Sequence, residues 1–447
     1  MILSLDLGTT SISAVIFDPL GREIVCSAEC PNDAGVSGLP EDHHEQCATT
    51  IIEAAYGLMN SLIRESRLSQ DSITGVSLTG QQHGIVVVDK EWTTLTNLIT
   101  WRDQRTASLP EQLRRHPYAT DTGCFLNPGY GGLTLHHLIH HGEMPEGAHC
   151  VLSVTGLLAA RLTGRGSIDE TMAASWGILD VKSRLWHAAV LETLSIPARL
   201  LPEISPSCLP LGPVVDPGSS GLAPGTMVFS PVGDNQAGFA DAADGRNAVV
   251  NLGTSSQLSV FSCDYSYSPM LETRPFPGGG FLHVYAALCG GWAYAYLAEF
   301  LQKVTEQIGG VSVSLPVVFD RMQVLAGSTE SNRLCADTRF AGQRNGPLCT
   351  GSIGSIDTSN FTPANLIRAF ANGIASELAG AASQMSFDGR GGLTVVGNAA
   401  HRNPLLVKAL EEQFGIECLL LASGGAEAAL GAARLATRFN SEKNPCT

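Results

Sequence analysis

The sequence predicts an α/β protein made of two similar halves, and three observations carry that prediction. At 447 residues, the chain exceeds the size at which a single hydrophobic core stops growing, so two domains are expected. Short alternating strands and helices with a 3.6-residue apolar period follow one another along it. A hairpin pattern at the N-terminus also returns in the second half. We therefore expect mixed sheets and a cleft between two domains.

The hairpin pattern supplies the first elements. Residues 2–5 and 12–18 alternate around a tight turn, and the second copy alternates over 248–250 and 257–261 around the turn 251–256. A repeat of this kind indicates a duplicated module. The second copy places the boundary near residue 245, which predicts domains over 1–244 and 245–447.

Further elements lie between and after the hairpins. Residues 44–65 carry the apolar period of an amphipathic helix, strands are predicted over 73–79 and 84–88, and another strand over 393–397. The Pro- and Gly-rich stretches 209–225 and 269–280 are predicted to be surface connections. The polar tail after residue 440 is expected to fray.

Composition narrows the class of partner. A formal net charge of -15 disfavours nucleic acids and anionic membranes and is easier to reconcile with a small neutral substrate. No apolar run reaches the roughly 18 residues needed to cross a bilayer, and no leader pattern opens the chain. The scattered cysteines are interpreted as reduced thiols, so a cytoplasmic location is expected.

The two turns are the strongest chemical signal. Glycine lets the backbone approach a ligand closely, and the donors of Thr9, Thr10 and Ser11 suit phosphate oxygens. Asp6 beside them would hold Mg²⁺ directly or through water. Gly253 and Thr254 form the second copy, and two such turns facing a cleft would clamp a triphosphate. The alternative is an ordinary hairpin turn at each place.

Two polar segments complete the predicted site. Asp234 lies in a Gly-Asp-Asn turn between the two hairpins, where it could take the proton of an attacking hydroxyl. The alternative is a turn without chemistry. Gln82 and His83 lie in the loop between two strands, where their donors and acceptors could recognise sugar hydroxyls; a structural loop histidine is the alternative. The chain carries no P-loop, and a Rossmann site is not expected.

Together, the duplicated turns, the turn with Asp234 and the loop Gly80–His83 resemble those of the FGGY carbohydrate kinases, from Asp6 to about Ala436. The resemblance implies two ribonuclease-H-like domains of the actin and hexokinase superfamily, with ATP and a sugar in the central cleft. It implies Asp234 as catalytic base, Asp6 and Asp234 at Mg²⁺, and Gln82, His83, Asp234 and Asn235 at the sugar. ATP contacts are then implied for Thr9, Thr10, Ser11, Gly253, Thr254, Gly397, Asn398 and Asn403.

Within that family, residues 171–178, 200–204 and 397–403 are most similar to the sedoheptulokinases, and the loop with Gln82 and His83 is shared with xylulokinases. The resemblance therefore implies sedoheptulose as substrate, with xylulose or another ketose or polyol as the alternative. A homodimer is an expectation of the same kind. Two other classes stay open, namely an ATP switch of the actin or Hsp70 kind and a sugar-binding regulator.

Overall fold

The computed structural model describes residues 1–243, 245–327, 333–343, 349–385, 387–422 and 425–438. Two mixed β-sheets, each packed against helices, form the centres of the two halves. The predicted α/β class is confirmed. The tail after residue 440 lies outside the described residues.

The helices and strands of the first half are, in chain order, β1 (Ile2–Leu7), β2 (Ser11–Asp18), β3 (Glu23–Pro31), β4 (Glu45–Gln46), α1 (Ala48–Ser66), β5 (Gly75–Gly80), β6 (Val86–Val88), β7 (Leu98–Ile99), α2 (Glu111–Arg114), α3 (Ala119–Thr122), α4 (Gly131–His140), β8 (Cys150–Leu152), α5 (Val154–Thr163), β9 (Ser167–Asp169), α6 (Glu170–Ser175), β10 (Leu179–Asp180), β11 (Leu185–Trp186), α7 (Ala188–Thr193), β12 (Glu203–Ser205), β13 (Pro210–Pro213), β14 (Met227–Phe229), β15 (Val232–Gly233) and α8 (Asp234–Ala242).

The first sheet has the order β13-β14-β5-β1-β2-β3, and β15 pairs with β5 at the end of that strand. Strands β1 and β2 form the predicted antiparallel hairpin, while β5, β14 and β15 run parallel to β1. Helix α1 buries the apolar stripe that the sequence predicted, including Ile51, Ala55 and Met59. That stripe packs on the apolar side chains of β1 and β2 in one core.

The second half continues with β16 (Ala248–Leu252), β17 (Ser256–Ser262), β18 (Glu272–Pro275), β19 (Phe281–Ala287), α9 (Gly291–Gln307), α10 (Leu315–Gly327), β20 (Cys335–Asp337), β21 (Ser352–Gly354), α11 (Pro363–Ala382), β22 (Leu393–Val396), α12 (Asn398–Arg402), α13 (Pro404–Phe414), β23 (Cys418–Leu420) and α14 (Glu427–Arg438).

The second sheet repeats the topology of the first. Its order is β18-β19-β17-β16-β22-β23, with an antiparallel hairpin β16-β17 and a parallel neighbour β22 beside β16. The hairpin β1-β2 has its parallel neighbour β5 in the same place. The duplication predicted from the two turns is thus visible in the strand order.

The last helix crosses back to the first half. On α14, Ala433 and Ala436 are buried against Ile2 and Phe17 of the first sheet. A side chain at Gly431 would place its Cβ 1.8 Å from the carbonyl oxygen of Ala237 on α8. Small residues along α14 therefore allow a close contact between two helices that lie far apart in sequence.

The two stretches predicted as surface connections contribute strands instead, which corrects those predictions. Within 209–225, β13 pairs with β14 at the edge of the first sheet. Within 269–280, β18 pairs with β19, and Glu272, Thr273 and Arg274 are buried. Turn-forming residues flank both strands and conceal them, because each strand is only four residues long.

The cysteines differ from the prediction at one position. Cys263, an exposed residue directly after β17, is disulfide-bonded, so the prediction of reduced thiols is wrong for this residue. The other cysteines that the structure describes carry free thiols.

Across the described ranges, no helix combines the length and apolar character required of a membrane span.

Candidate active site

The parallel strands of the first sheet bring the predicted polar residues of that half to one edge. Strands β1, β5 and β15 run in the same direction, so the segments that follow them emerge side by side. These segments are the turn after Asp6, the loop with Gln82 and His83, and helix α8 beginning at Asp234. Residues far apart in the sequence therefore meet at one edge.

The first turn is built on Gly8 and presents Thr10. A Cβ at Gly8 would lie 2.7 Å from the carbonyl oxygen of Ser11, so the tight turn requires glycine. The Thr9 hydroxyl is already engaged, since it accepts from Trp101 Nε1 at 2.9 Å and donates to Gln81 Oε1 at 3.3 Å. Thr10 is exposed, whereas Ser11 begins β2 and is half-buried.

Asp6 has the character of a cation ligand. Its Oδ1 atom is buried and has no hydrogen-bond partner. Burial raises the pKa of Asp6 to about 7, with further increases from the charges of Asp234, Glu427 and Glu29. A bound cation would give the buried Oδ1 atom a partner and would offset the repulsion between Asp6 and the neighbouring carboxylates.

The surrounding donors fit Mg²⁺ rather than a metal held by protein alone. No cluster of three or more metal-ligating side chains occurs in the part of the chain that the structure describes. Mg²⁺ usually keeps several waters and is held by one or two carboxylates together with substrate phosphates. Asp6, with Asp234 nearby, matches that requirement.

Asp234 is the first residue of α8, which corrects the prediction of a flexible turn. Its Oδ1 accepts from the backbone N–H of Asn235 at 2.7 Å. Burial raises the pKa of Asp234 to about 6, although the Asn235 N–H, the Arg274 charge and the Gln82 amide act in the opposite direction. A carboxyl group at this pKa is mostly ionised at neutral pH and remains basic enough to accept a proton.

Strand β15, which precedes Asp234, is held by a series of buried hydrogen bonds. The backbone N–H of Gly233 donates to Thr171 Oγ1 at 2.7 Å, and the Thr171 hydroxyl donates to the carboxyl group of Asp169. Ser207 Oγ also donates to Asp169, at 2.8 Å. These contacts hold the N-terminus of α8 in place.

Gln82 and His83 are held in a strained loop. His83 has a φ of 71°, and Gly84 N–H donates to the Gln82 carbonyl at 2.9 Å, which together describe a tight γ-turn of positive φ. Such a turn persists only where its surroundings determine it. Here the His83 Nδ1 donates to the Ser175 carbonyl at 2.6 Å, and the His83 ring stacks on Tyr130 with centroids 4.3 Å apart.

The second turn, in the second half of the chain, resembles the first in presenting an exposed threonine close to a glycine. Thr254 is exposed beside Gly253. The backbone N–H of Gly291 donates to the Gly253 carbonyl at 2.9 Å, and a Cβ at Gly290 would lie 2.6 Å from the carbonyl carbon of Ser255. This glycine pair, which the sequence reasoning missed, allows helix α9 to begin directly against the turn.

A cavity of about 190 Å³ joins the two halves. Its lining includes Asp234 and Asn235 from α8, Asn251 from β16, Gly397 between β22 and α12, and Glu427 from α14. Gly397 has a φ of 101°, and a Cβ there would lie 2.4 Å from the Leu252 carbonyl oxygen. The structure therefore brings Gly397 close to Asp234 and Asn235.

The remaining predicted nucleotide contacts lie at different depths. Asn398 is exposed at the start of α12. Asn403 is buried at the other end of that helix and accepts from the backbone N–H of Leu405 at 3.2 Å, which caps α13. Asn403 is not among the residues that line the cavity.

Sequence reasoning also missed a buried charge pair beside the loop that carries Gln82 and His83. Arg274 of β18 donates to Gln82 Oε1 at 2.8 Å and forms an ion pair with Glu272. Tyr130 donates to Glu272 Oε1 at 2.6 Å. The available signal was two charged residues two positions apart in a stretch otherwise rich in proline and glycine.

Comparison with known proteins places this geometry in context. Residues 1–240 match the FGGY family of carbohydrate kinases, N-terminal domain. The human sedoheptulokinase is 26% identical over 98% of this chain and 97% of its own length. The structure of a xylulose kinase from Rhodospirillum rubrum superposes with a TM-score of 0.87 at 20% identity, covering 98% of this chain and 90% of the other. A gluconate kinase from Lactobacillus acidophilus gives 0.84 at 20% identity, covering 99% and 90%.

Proposed function

Because the chain belongs to the FGGY family of carbohydrate kinases, we propose that it transfers the γ-phosphoryl group of ATP to a terminal hydroxyl of a neutral ketose. Sedoheptulose is the preferred candidate, because the chain is similar to the human sedoheptulokinase over nearly its full length. Xylulose or another ketose or polyol is the alternative, because the loop with Gln82 and His83 resembles that of the xylulokinases. The observation that carries the proposal is the meeting of Asp234 with residues of both halves around one cavity.

In this proposal Asp234 is the catalytic base. It lies at the N-terminus of α8, where the helix dipole favours the ionised carboxylate. From there it would accept the proton of the attacking hydroxyl while Gln82, His83 and Asn235 orient the sugar. Phosphoryl transfer depends mainly on such positioning and on neutralising phosphate charge.

The nucleotide would lie between the two turns. The exposed Thr10 and Thr254, with the backbone donors of their glycine-containing turns, would bind phosphate oxygens. Asp6, with Asp234 nearby, would hold Mg²⁺, which neutralises phosphate charge when bound. The closely packed Gly397 would let the base end of the nucleotide approach the second sheet.

The charges beside the proposed sugar loop, which is the loop with Gln82 and His83, favour a neutral substrate over a sugar acid. Arg274 of β18 lies against this loop and is paired with Glu272, so its positive charge is already compensated. A carboxylate substrate placed here would also meet the ionised Glu272 and Asp234, which would repel it.

Two expectations from the sequence accompany this proposal as predictions. A homodimer would be tested by light scattering coupled to size-exclusion chromatography, and the cytoplasmic location by fractionation of cells that express the chain. An ATP switch or a sugar-binding regulator would need neither a base beside a sugar loop nor turnover that depends on sugar.

The test is ADP release from Mg-ATP with sedoheptulose, xylulose, ribulose, glycerol and gluconate, each supplied separately. Asp234→Asn should abolish turnover on the accepted sugar because it removes the base. Asp241→Asn is the matched control, since it changes the same charge on the same helix at a residue that pairs with Arg434.

The outcomes separate the candidates. Turnover on sedoheptulose that Asp234→Asn abolishes and Asp241→Asn retains would support the proposal in full. Turnover on xylulose alone would keep the reaction and replace the substrate. ATP hydrolysis that is independent of every sugar and unchanged in Asp234→Asn would favour the switch.

A further inference from the structure

We propose that Arg274 is the positioning residue of the sugar loop: from the second half of the chain it fixes the amide orientation of Gln82 and the tautomer of His83. This inference rests on the proposed function and adds to it a residue that does not react. Arg274 lies on β18, the edge strand of the second sheet, whereas Gln82 and His83 follow β5 of the first.

The polarity of the loop follows from the fact that arginine only donates hydrogen bonds. Arg274 Nη1 is 2.8 Å from Gln82 Oε1, so that oxygen must be the acceptor and Gln82 Nε2 a donor. Gln82 Nε2 then donates to Gln236 Oε1 at 2.7 Å, and Gln236 Nε2 donates to the Pro275 carbonyl at 3.2 Å. The side-chain amides of Gln82 and Gln236 therefore have one allowed orientation each. The Arg274 guanidinium, which only donates, lies at one end of this series of hydrogen bonds, and the Pro275 carbonyl, which only accepts, lies at the other.

The same argument assigns His83. Its Nδ1 lies 2.6 Å from the Ser175 carbonyl, which can only accept, so Nδ1 carries the proton. Arg274 Nη2 lies 3.3 Å from Nε2 and can only donate, so Nε2 is the unprotonated acceptor. The ring is therefore neutral and has one tautomer.

The loop requires such support because its backbone is strained. His83 has a φ of 71°, a conformation that a non-glycine residue keeps only when its contacts determine it. Besides Arg274, those contacts come from Ser175 and from the ring of Tyr130. Tyr130 also donates to Glu272, the ion-pair partner of Arg274. The Glu272 carboxylate therefore binds both residues that contact the His83 ring, Arg274 and Tyr130.

This arrangement predicts an effect on sugar recognition that is separate from the nucleotide. If Gln82 and His83 lose their fixed orientation, sugar hydroxyls meet the wrong donors and acceptors, and the KM for sugar rises. Among the described residues, the hydrogen-bond and ion-pair partners of Arg274 are Gln82, His83 and Glu272, and none of them belongs to the two glycine-containing turns at Thr10 and Thr254. The KM for ATP should therefore stay nearly constant.

The experiment compares Arg274→Lys with wild type in steady-state kinetics, varying sugar and ATP in turn. Lysine keeps the charge but cannot donate to Gln82, His83 and Glu272 in the geometry of a planar fork. We expect kcat/KM for the sugar to fall about 10- to 100-fold through the sugar KM, with the ATP KM changed less than about 3-fold. Arg339→Lys is the matched control, because Arg339 likewise pairs with an acid two residues earlier, Asp337, at 2.8 Å.

A second variant guards against loss of folding. Arg274→Met combined with Glu272→Gln removes both buried charges together, so neither is left unpaired, and it should raise the sugar KM at least as much. A lower kcat with an unchanged sugar KM in both variants would overturn the inference, since that pattern means only a smaller active fraction. If wild type releases no ADP with any sugar, the proposed function itself fails and the inference falls with it.

Discussion

Gly233→Ala tests how closely the loop with Gln82 and His83 packs against the N-terminus of α8. Gly233 precedes Asp234 and has a φ of −63°, which alanine adopts without strain, so only space opposes the change. A Cβ at this position would lie 2.0 Å from Gln82 Nε2 and 2.7 Å from its amide carbon. Ordinary contact begins at 3.4 Å, so the Gln82 amide must retreat by about 1.4 Å.

The magnitude follows from what holds that amide. Gln82 is 4% exposed and is hydrogen-bonded to Gln236 at 2.7 Å and to Arg274 at 2.8 Å. A retreat of this size breaks both bonds, at about 1 kcal/mol each, and leaves buried groups unpaired for a further 1–3 kcal/mol or so. We expect a loss of roughly 3–5 kcal/mol in stability. Because a displacement of about 1 Å at a site can cost about 100-fold in rate, we expect kcat/KM for the sugar to fall by about that factor.

The assay is a double-mutant cycle with Gln82→Ala, read by sugar-dependent ADP release and by urea unfolding. If the clash is the cause, Gly233→Ala should cost less in the Gln82→Ala background, because the overlap with the Gln82 amide is removed and only Gln236 Oε1, at 2.8 Å from the new Cβ, must still shift. Gly57→Ala on α1 is the control, since a Cβ there meets nothing within 4 Å. Wild-type kinetics and stability in Gly233→Ala, or costs that simply add in the double variant, would refute the reasoning.

Three further predictions concern other parts of the site. Asp6→Asn should lower activity at least about 100-fold while raising the melting temperature of the metal-free protein at pH 8, because it removes a buried charge next to Asp234; an equal or lower melting temperature by differential scanning fluorimetry would contradict this. Asp169→Asn keeps the Oδ1 acceptor that caps α6, whereas Asp169→Ala should cost about 2–4 kcal/mol. Burial raises the pKa of Asp169 to about 6, above its unfolded value, so the penalty of ionisation is absent below about pH 4 and complete above about pH 6. Urea unfolding should therefore show Asp169→Asn gaining stability relative to wild type, by up to about 3 kcal/mol, as the pH rises through that window; a gain that shrinks with pH would be the wrong sign. Gly397→Ala should raise the KM for ATP about tenfold or more and leave the sugar KM unchanged, because its Cβ would meet a backbone carbonyl at 2.4 Å; Gly380→Ala, where a Cβ meets nothing within 4 Å, is the control.

Local pattern predicted the parts of the fold that repeat. The alternation around the two glycine turns predicted both hairpins, and the structure gives each hairpin a parallel neighbour in the same position. The polar residues after β1, β5 and β15 then meet for a geometric reason, since parallel strands end at one edge. A turn such as that of Thr10 could be recognised because its glycine and hydroxyl residues lie next to one another in sequence.

The residues that support the site could not be predicted in this way. Arg274 contacts Gln82 across 192 positions. In 269–280 the proline and glycine residues indicate a surface connection, and the charged residues Glu272 and Arg274 alone do not indicate a buried strand. The role of Gly233 is hidden for the same reason, because the atom it makes room for belongs to Gln82. Long-range packing decides both cases, and a single sequence carries no periodic signal of it.

The shared fold leaves any difference in substrate between these kinases to individual side chains. Kinases of xylulose and gluconate share this fold at TM-scores of 0.87 and 0.84, so the backbone alone does not distinguish a neutral sugar from an acidic one. In this chain, Arg274 turns its donors toward Gln82 and His83, while Glu272 compensates its charge. Under the proposed function, the loop with Gln82 and His83 would present oriented hydrogen-bonding groups beside a compensated charge, and a sugar analogue that left those buried groups unpaired would be rejected.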